Sequence, residues 1–414
     1  MFFGDSRVMM KGRLRAARPQ GRCGLVIYLD NSATTRPHPE VIETVRRAME
    51  SYYGNPSSLH QKGVEAENVL KQARKVAAQY LGCKEGEVFF TSGGTESNNT
   101  AIKGIAFQYQ NRGKHIITTQ VEHPAVYDVC KQLESFGFTV TYLPVDREGR
   151  VSLEDVKRAL RPDTILVSVM HVNNELGTIQ PVAEIGQWLK QFPKVLFHVD
   201  AVQGIGKVPL RLQDSGIDLL SVSAHKFYGP RGVGILYKRE GLIIHPLIMG
   251  GGQEGGIRSG TENLPAIAGL AKAIRILEEL GHGEVNRLQG LHQQLREGIQ
   301  RIEGCIVNTP EAGAAPHIMN LSVPGVKAEV LLHALEERGF LVSTKSACSS
   351  KANEPSRVLT AAGIDRDCAL SSLRISLGRE NTSEEIAQFL TALQTCVGSL
   401  RSLLKPQAAP DRRK

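Results

Sequence analysis

Four short segments of this sequence hold side chains able to do chemistry, each just after a strand-like run. Thr91-Ser92-Gly93-Gly94-Thr95-Glu96-Ser97-Asn98 places glycines and then a hydroxyl residue ahead of a helical stretch. Free backbone N–H groups and the helix dipole at such a point attract phosphate. The plainer alternative is a helix start capped by Thr95. His198-Val199-Asp200-Ala201-Val202-Gln203 puts a carboxylate at the carboxyl end of a buried strand, where open α/β sheets bind ligands. Asp200 there either pairs with a protonated ring nitrogen or caps a helix. In Ser221-Val222-Ser223-Ala224-His225-Lys226-Phe227-Tyr228-Gly229-Pro230 a strand runs directly into a lysine flanked by polar residues. A lysine so held can have a lowered pKa and form an imine with a carbonyl, and a solvated charge is the alternative. Glu122-His123-Pro124 again follows a strand, which makes His123 a candidate for ring stacking or proton transfer beside its plainer structural reading.

The elements that must position these groups are legible as periodicities. Gly63–Leu81 has apolar residues at helical 3/4 spacing and stops at Gly82. Short β-branched runs recur at His115–Thr119, Thr139–Leu143, Thr164–Met170, Val195–Val199, Ile217–Val222 and Val233–Tyr237, with helical patterns at 124–136, 152–160 and 182–191. Strands alternating with helices predict an α/β sandwich around a mainly parallel sheet. Long helical patterns follow from Pro265 to Ile302. Short strands at Ile318–Val323 and Leu373–Leu377 then mix with helices at Ala328–Arg338 and Ser383–Leu403. That change of texture predicts a second, α+β domain from about residue 280.

The 414 residues suit two domains. Apolar residues make up 41% and charged residues 22%, the composition of a folded globular protein. No apolar run is long enough for a transmembrane helix. The net charge of +8 resides in the two ends: Arg7, Lys11, Arg13, Arg15, Arg18 and Arg22 against Asp5, and Lys405, Arg412, Arg413 and Lys414 against Asp411. The body between is neutral, which argues against nucleic-acid binding. Residues 1–25 are read as a disordered basic extension, with a transit peptide as the alternative reading, and residues 405–414 as a disordered tail. Seven cysteines (Cys23, Cys83, Cys130, Cys305, Cys348, Cys368, Cys396) occur without C-x-x-C spacing, so neither a disulfide framework nor a zinc site is expected. A reducing compartment fits that usage.

Taken together, the four segments supply a phosphate cradle, a carboxylate for a pyridinium, a lysine for an aldehyde and a histidine over a ring, the parts of a pyridoxal 5'-phosphate site. Here the sequence resembles the fold type I superfamily of pyridoxal-phosphate enzymes. Within it, the resemblance is to the class V cysteine desulfurases of the group serving iron–sulfur and nitrogenase-cluster assembly. It extends over about residues 26–404. It includes Tyr28-Leu29-Asp30-Asn31-Ser32-Ala33-Thr34-Thr35, Gly54-Asn55-Pro56-Ser57-Ser58, His171-Val172-Asn173-Asn174-Glu175-Leu176-Gly177, Arg258-Ser259-Gly260-Thr261, Ser346-Ala347-Cys348 and Ser371-Ser372-Leu373-Arg374-Ile375-Ser376.

The resemblance implies a large α/β/α sandwich domain over 36–280, and a smaller α+β domain formed by 26–35 with 281–404 that carries the nucleophile loop. It implies that Lys226 attaches the cofactor, Asp200 pairs with its ring nitrogen, Gln203 bonds its ring hydroxyl, and His123 stacks and shuttles protons. Gly94, Thr95, Ser223 and His225 would hold the phosphate, and Glu96 would neighbour it. Thr261 would reach the phosphate of a second copy, hence a homodimer. Asn174 and Arg374 would bind the substrate carboxylate. Cys348, in a polar segment read as a mobile loop, would be the nucleophile that takes sulfur from L-cysteine and leaves L-alanine. The persulfide would pass to a sulfur-acceptor protein, an iron–sulfur scaffold or a tRNA thiolase. No resident metal is expected, apart from transient ligation of an iron–sulfur cluster by Cys348. No direct contact with nucleic acid or membrane is expected. The implied location is cytoplasmic, or mitochondrial if the extension is a transit peptide. A selenocysteine lyase or β-lyase of the same fold is the rival activity. Two departures stand out. Gly94 replaces an Ala common among relatives, a change expected to be harmless. Lys345 replaces a Gly beside the nucleophile, and reads either as a solvated lysine or as a cation acting on the thiolate or on an acidic partner.

Overall fold

The computed structural model describes residues 26–344 and 354–404. Cys348 and Lys345, and the expected tails at 1–25 and 405–414, lie outside the described residues.

A seven-stranded sheet forms the centre, in the order Val88–Thr91, Gly234–Lys238, Leu219–Ser223, Leu196–Asp200, Thr164–Met170, His115–Thr119, Thr139–Leu143. The last five are mutually parallel, and Gly234–Lys238 runs against both of its neighbours. The strands are short apolar and β-branched runs because both faces of the sheet are covered. Alternation sorts their side chains. Leu196 and Leu219 pack with Ile102, Ile105, Val126 and Val129 of the helices Gly94–Tyr109 and Pro124–Ser135. Phe197, Val199 and Leu220 pack on the other face with Ala66, Leu70, Ala73, Leu270 and Ile274, from the helices Gln61–Leu81 and Leu264–Gln300. Each such side chain taken from water contributes roughly 1.5–3 kcal/mol.

A separate apolar cluster gathers Ile27, Leu29, Leu295, Ile299, Leu321, Leu331, Leu373, Ile375 and Phe389. Its sheet places Ile318–Ser322 between Ile306–Val307 and Ser372–Ser376, all antiparallel. Ile27–Tyr28 pairs in parallel with Phe340–Leu341. The long helix Leu264–Gln300 joins the two regions and bends at Gly281, where φ is 52° and ψ is −149°. Before the bend it packs on the large sheet, and from Leu288 onward it packs in the second cluster.

Three expected strands lie one or two residues later than the β-branched runs suggest, at Leu196–Asp200, Leu219–Ser223 and Gly234–Lys238. The helix Pro39–Ser51 is not among the expected elements, although Val41, Ile42, Val45, Ala48 and Met49 fall at helical spacing behind Pro39 in its first turn.

Candidate active site

The parallel strands end on one edge of the sheet, and the chemistry-bearing residues follow those ends. They line a cavity of about 210 Å³ that includes Ser32, Gly94, Thr95, Asn98, His123, Asn174, Asp200, Gln203, Ser223, His225, Lys226 and Arg374. Residues expected from four separate segments therefore meet in one space.

Gly93 precedes the helix Gly94–Tyr109 at φ 148°, a backbone region reserved for glycine, and no side chain caps the helix start. Thr95 is thus inside the helix rather than at its cap, and the first N–H groups of the helix remain available to an anion. A Cβ at Gly94 would lie 2.7 Å from Val202 Cγ2 and 3.5 Å from Ser223 Cβ, so the glycine leaves room for Val202 at this wall of the cavity.

Asp200 ends its strand and is held on both oxygens. Asn98 Nδ2 donates to Oδ2 at 2.7 Å, and the Val202 backbone N–H donates to Oδ1 at 3.0 Å. No helix follows, so the capping alternative lapses. Asn98 was missed at the sequence level, although it lies one turn after Gly94 on the buried face of the helix. Gln203 donates through Nε2 to the Ser32 carbonyl at 3.0 Å, and its buried Oε1 has no partner among the described residues.

Lys226 donates from Nζ to the carbonyls of Ser32 and Ala33, the latter at 2.9 Å. These acceptors are backbone atoms of the segment following Ile27–Tyr28, which no side-chain pattern advertises. His123 Nδ1 accepts the Ala125 N–H at 3.1 Å, which leaves Nε2 to carry the proton of the neutral ring. Burial lowers the His123 pKa, with Asp200 opposing. His225 is pushed down to about 4, by burial and then by the Lys226 charge, and Nδ1 sits 3.2 Å from Thr34 Oγ1. Both rings are therefore neutral near pH 7.

Arg374 is 2% exposed. Its Nη1 donates to the Asn174 carbonyl at 3.0 Å and its Nη2 to Asp30 Oδ1 at 2.8 Å, while Nε has no partner among the described residues. Asp30, within the quoted N-terminal motif but without an expected role, is the counter-charge. Glu96 does not line the cavity. It takes the Arg258 Nε at 2.9 Å and the Ser92 N–H at 3.0 Å. Thr261 also lies outside the cavity and is exposed; two residues before it, the Ser259 N–H donates to the carbonyl of Ile248, and Ile248 and Met249 are exposed.

The cavity's groups are complementary to pyridoxal phosphate. They offer an anchored carboxylate, an orphaned buried amide oxygen, an amine, a neutral imidazole and a glycine-led helix start. Among the described residues no His/Cys/Asp/Glu group could hold a metal, and no helix is long and apolar enough to cross a membrane. Burial raises the thiols of Cys83 (to about 12), Cys130, Cys305 (to about 11), Cys368 and Cys396, which makes each a poor source of thiolate.

Comparison with known proteins agrees with this geometry. The family described as aminotransferase class-V matches residues 27–389. The cysteine desulfurase IscS of Dictyoglomus turgidum is 47% identical over 378 residues, 91% of this chain and 96% of that protein. The protein of the same name from Methanosarcina thermophila is 46% identical over 377 residues, with 91% and 93% covered. A solved NifS-like protein superposes with a TM-score of 0.86 at 41% identity, covering 91% of this chain and all of the other. On the sheet, the cavity and these likenesses, the chain belongs to the class-V aminotransferase family, in its cysteine desulfurase branch.

Proposed function

We propose that this chain is a pyridoxal-phosphate-dependent cysteine desulfurase that converts L-cysteine and the Cys348 thiol into L-alanine and a Cys348 persulfide. The observation that carries the reading is the convergence of Lys226, Asp200, Gln203, His123 and Arg374 on one cavity. A similar protein, SspA, with 38% identity and a TM-score of 0.76, has been solved in complex with cysteine.

Bound pyridoxal phosphate supplies an electron-withdrawing pyridinium conjugated to the substrate amine, which stabilises the charge left when the Cα proton departs. Asp200, held by Asn98 and Val202, keeps the ring nitrogen protonated. Gln203 offers its unpartnered oxygen to the ring hydroxyl. Gly94, Thr95, Ser223 and neutral His225 hold the phosphate, with Thr261 of a second copy. The exposed Ile248 and Met249, on the segment that pairs with Arg258 and Ser259, suit burial in a homodimer. Lys226 attaches the aldehyde. Arg374 and Asn174 take the substrate carboxylate, and neutral His123 moves a proton through Nε2.

The thiolate of Cys348 attacks the substrate sulfur. A sulfur–sulfur bond forms, the carbon–sulfur bond breaks, and its electron pair stays with the three-carbon product. Ser343 exchanges backbone hydrogen bonds with Arg374, at 3.1 Å and 2.7 Å. Cys348 follows five residues later, a span of up to about 17 Å. The smaller-domain assignment, 26–35 with 281–404, is supported by its own apolar cluster and by the bend at Gly281. The persulfide then passes to an acceptor protein, an iron–sulfur scaffold or a tRNA thiolase.

The test is brief exposure to L-cysteine, then alkylation and peptide mapping. Extra sulfur on Cys348 is expected. Undiminished alanine release by Cys348→Ser would instead favour a selenocysteine lyase, and release of pyruvate with ammonia would favour a β-lyase.

A further inference from the structure

Side chains from distant parts of the chain hold the turn that leads into His123. The strand His115–Thr119 stops, residues 120–122 turn, and His123 caps the helix Pro124–Ser135. The carbonyls of Gln120, Val121 and Glu122 each accept from such a side chain. Asn173 Nδ2 donates to Val121 at 3.0 Å. Arg357 supplies the other two: its Nη1 donates to Gln120 and its Nη2 to Glu122. The same guanidinium lies over the Tyr127 ring, with Cζ 3.8 Å from the centroid. Tyr127 is one turn into the helix, and its N–H donates to the His123 carbonyl at 3.0 Å. Arg357 therefore grips the chain immediately before His123 and the helix turn immediately after it.

The helix that brings Arg357 here is docked by other groups. Within Arg357–Ala361, Val358 and Leu359 are buried with Val121, Met170 and Leu176. Ser356 caps this helix, accepting the Val358 N–H at 3.1 Å, and donates to Glu175. The guanidinium is thus not needed to hold its own helix down. From the sheet side, the buried Glu122 fixes the same turn: its Oε1 accepts from Thr119 Oγ1 at 2.8 Å and from the Met170 N–H at 3.0 Å. A planar fork can serve two carbonyls two residues apart while stacking on a ring, and a lysine ammonium cannot. Backbone fixed on both sides of a residue fixes where its side chain goes. A proton-transfer group depends on that, since a misplacement of about 1 Å costs about a hundredfold in rate.

We propose that Arg357 is a positioning residue for His123: it clamps the turn before the imidazole and the helix after it, so that the ring stays in the cavity it shares with Lys226 and Asp200. The inference rests on the reading that His123 moves a proton of the bound amino acid.

The experiment compares wild-type, Arg357→Ala, Arg357→Lys and His123→Gln proteins loaded with pyridoxal phosphate. L-Alanine in heavy water reports proton movement without the Cys348 step, as deuterium taken up at its carbon-bound positions. Arg357→Ala should lower this rate at saturating L-alanine by about ten- to a hundredfold. The half-saturating L-alanine concentration and the affinity for pyridoxal phosphate should stay within about twofold, because Arg374, Asp200 and Lys226 stand on other elements. Arg357→Lys keeps the charge and should lose rate likewise. Added ethylguanidinium, but not ethylammonium, should restore the Ala variant. In cofactor-free protein, backbone amide exchange should quicken over 120–127 and stay unchanged over 358–361. A wild-type deuterium uptake rate in either Arg357 variant, equal rescue by ethylammonium, or a loss of cofactor affinity as large as the loss of rate would overturn the proposal. If the Ala variant does not fold, the Lys variant decides alone. His123→Gln separates the two levels. A wild-type rate there defeats the functional reading of His123 and the inference together. A rate lost there but kept in the Arg357 variants defeats the inference only.

Discussion

Gly94→Ala tests how tightly the cavity wall is built. The added Cβ would lie 2.7 Å from Val202 Cγ2, against an optimum of about 3.5–4.0 Å between carbons, an overlap of about 1 Å. Its 3.5 Å distance to Ser223 Cβ is ordinary contact. Valine is stiff about χ1, so relief requires the turn after Leu196–Asp200 to shift, and that turn carries Asp200 and Gln203. Overpacking of this kind costs about 1–3 kcal/mol. Alanine recovers up to about 1 kcal/mol over glycine in a helix, so the melting temperature of the cofactor-free protein should change little. The cost should appear in the cofactor site, as about tenfold weaker pyridoxal phosphate binding, since each 1.4 kcal/mol is about a factor of ten. Equilibrium titration by absorbance or fluorescence measures it. Gly94→Ala with Val202→Ala should restore binding, because the two changes act on one contact. Wild-type affinity in the single variant, or no rescue in the double, would refute the packing argument.

Further outcomes are expected. Cys348→Ser should keep the cofactor spectrum and lose persulfide formation, because a serine hydroxyl cannot replace a thiolate at neutral pH; trapping with an alkylating tag reads this. Lys226→Ala should lose the cofactor–lysine absorbance, checked by borohydride fixation. Asp30→Ala leaves the buried Arg374 without its counter-ion and should lower stability by about 3 kcal/mol, measured by denaturant unfolding. Stability should also fall as pH drops from 6.5 toward 4. His115, His171 and His292 have folded pKa values of about 4 and His198 about 3, so in that window the unfolded chain binds the extra protons. Glu122, raised by burial to about 8, has the opposite sign and loses stability as pH rises from 4.5 to 8. With His225, also at about 4, five histidines against one carboxyl give a net fall toward acid, which thermal melts across pH would show.

The large sheet was legible because its strands are apolar on both faces and appear as separate β-branched runs. Residues that act through side chains at strand ends, Asp200, Lys226 and His123, could be read for the same reason: their neighbours announce the end of a strand. Asn98 carried a weaker signal, a single position on a helix face. The Ser32 and Ala33 carbonyls gave none, because any residue supplies a carbonyl. Arg357 and Asp30 matter through partners distant in sequence, and nothing local distinguishes either from a surface charge. Glu96 was expected beside the cofactor from motif position alone, yet its carboxylate turns to Arg258.

The segment 26–35 also governs when the site can exist. It leaves the ribosome before the rest of the site, but Ile27–Tyr28 pairs with Phe340–Leu341, and Asn31 and Asp30 bond to Ser376 and Arg374 across 345 and 344 residues of chain. Contacts of such separation close late in folding. Until residues 340–376 have emerged, the Ser32 and Ala33 carbonyls have no anchored strap to present to Lys226. On the proposed cofactor assignment, capture would wait for nearly the whole of this stretch to be synthesised, even though Lys226 and the phosphate-holding residues of the same chain all precede residue 227. A nascent chain stalled after the large sheet would have a folded floor and a lysine without its lid of carbonyls, so pyridoxal phosphate retention by staged translation products would date the closing of the strap.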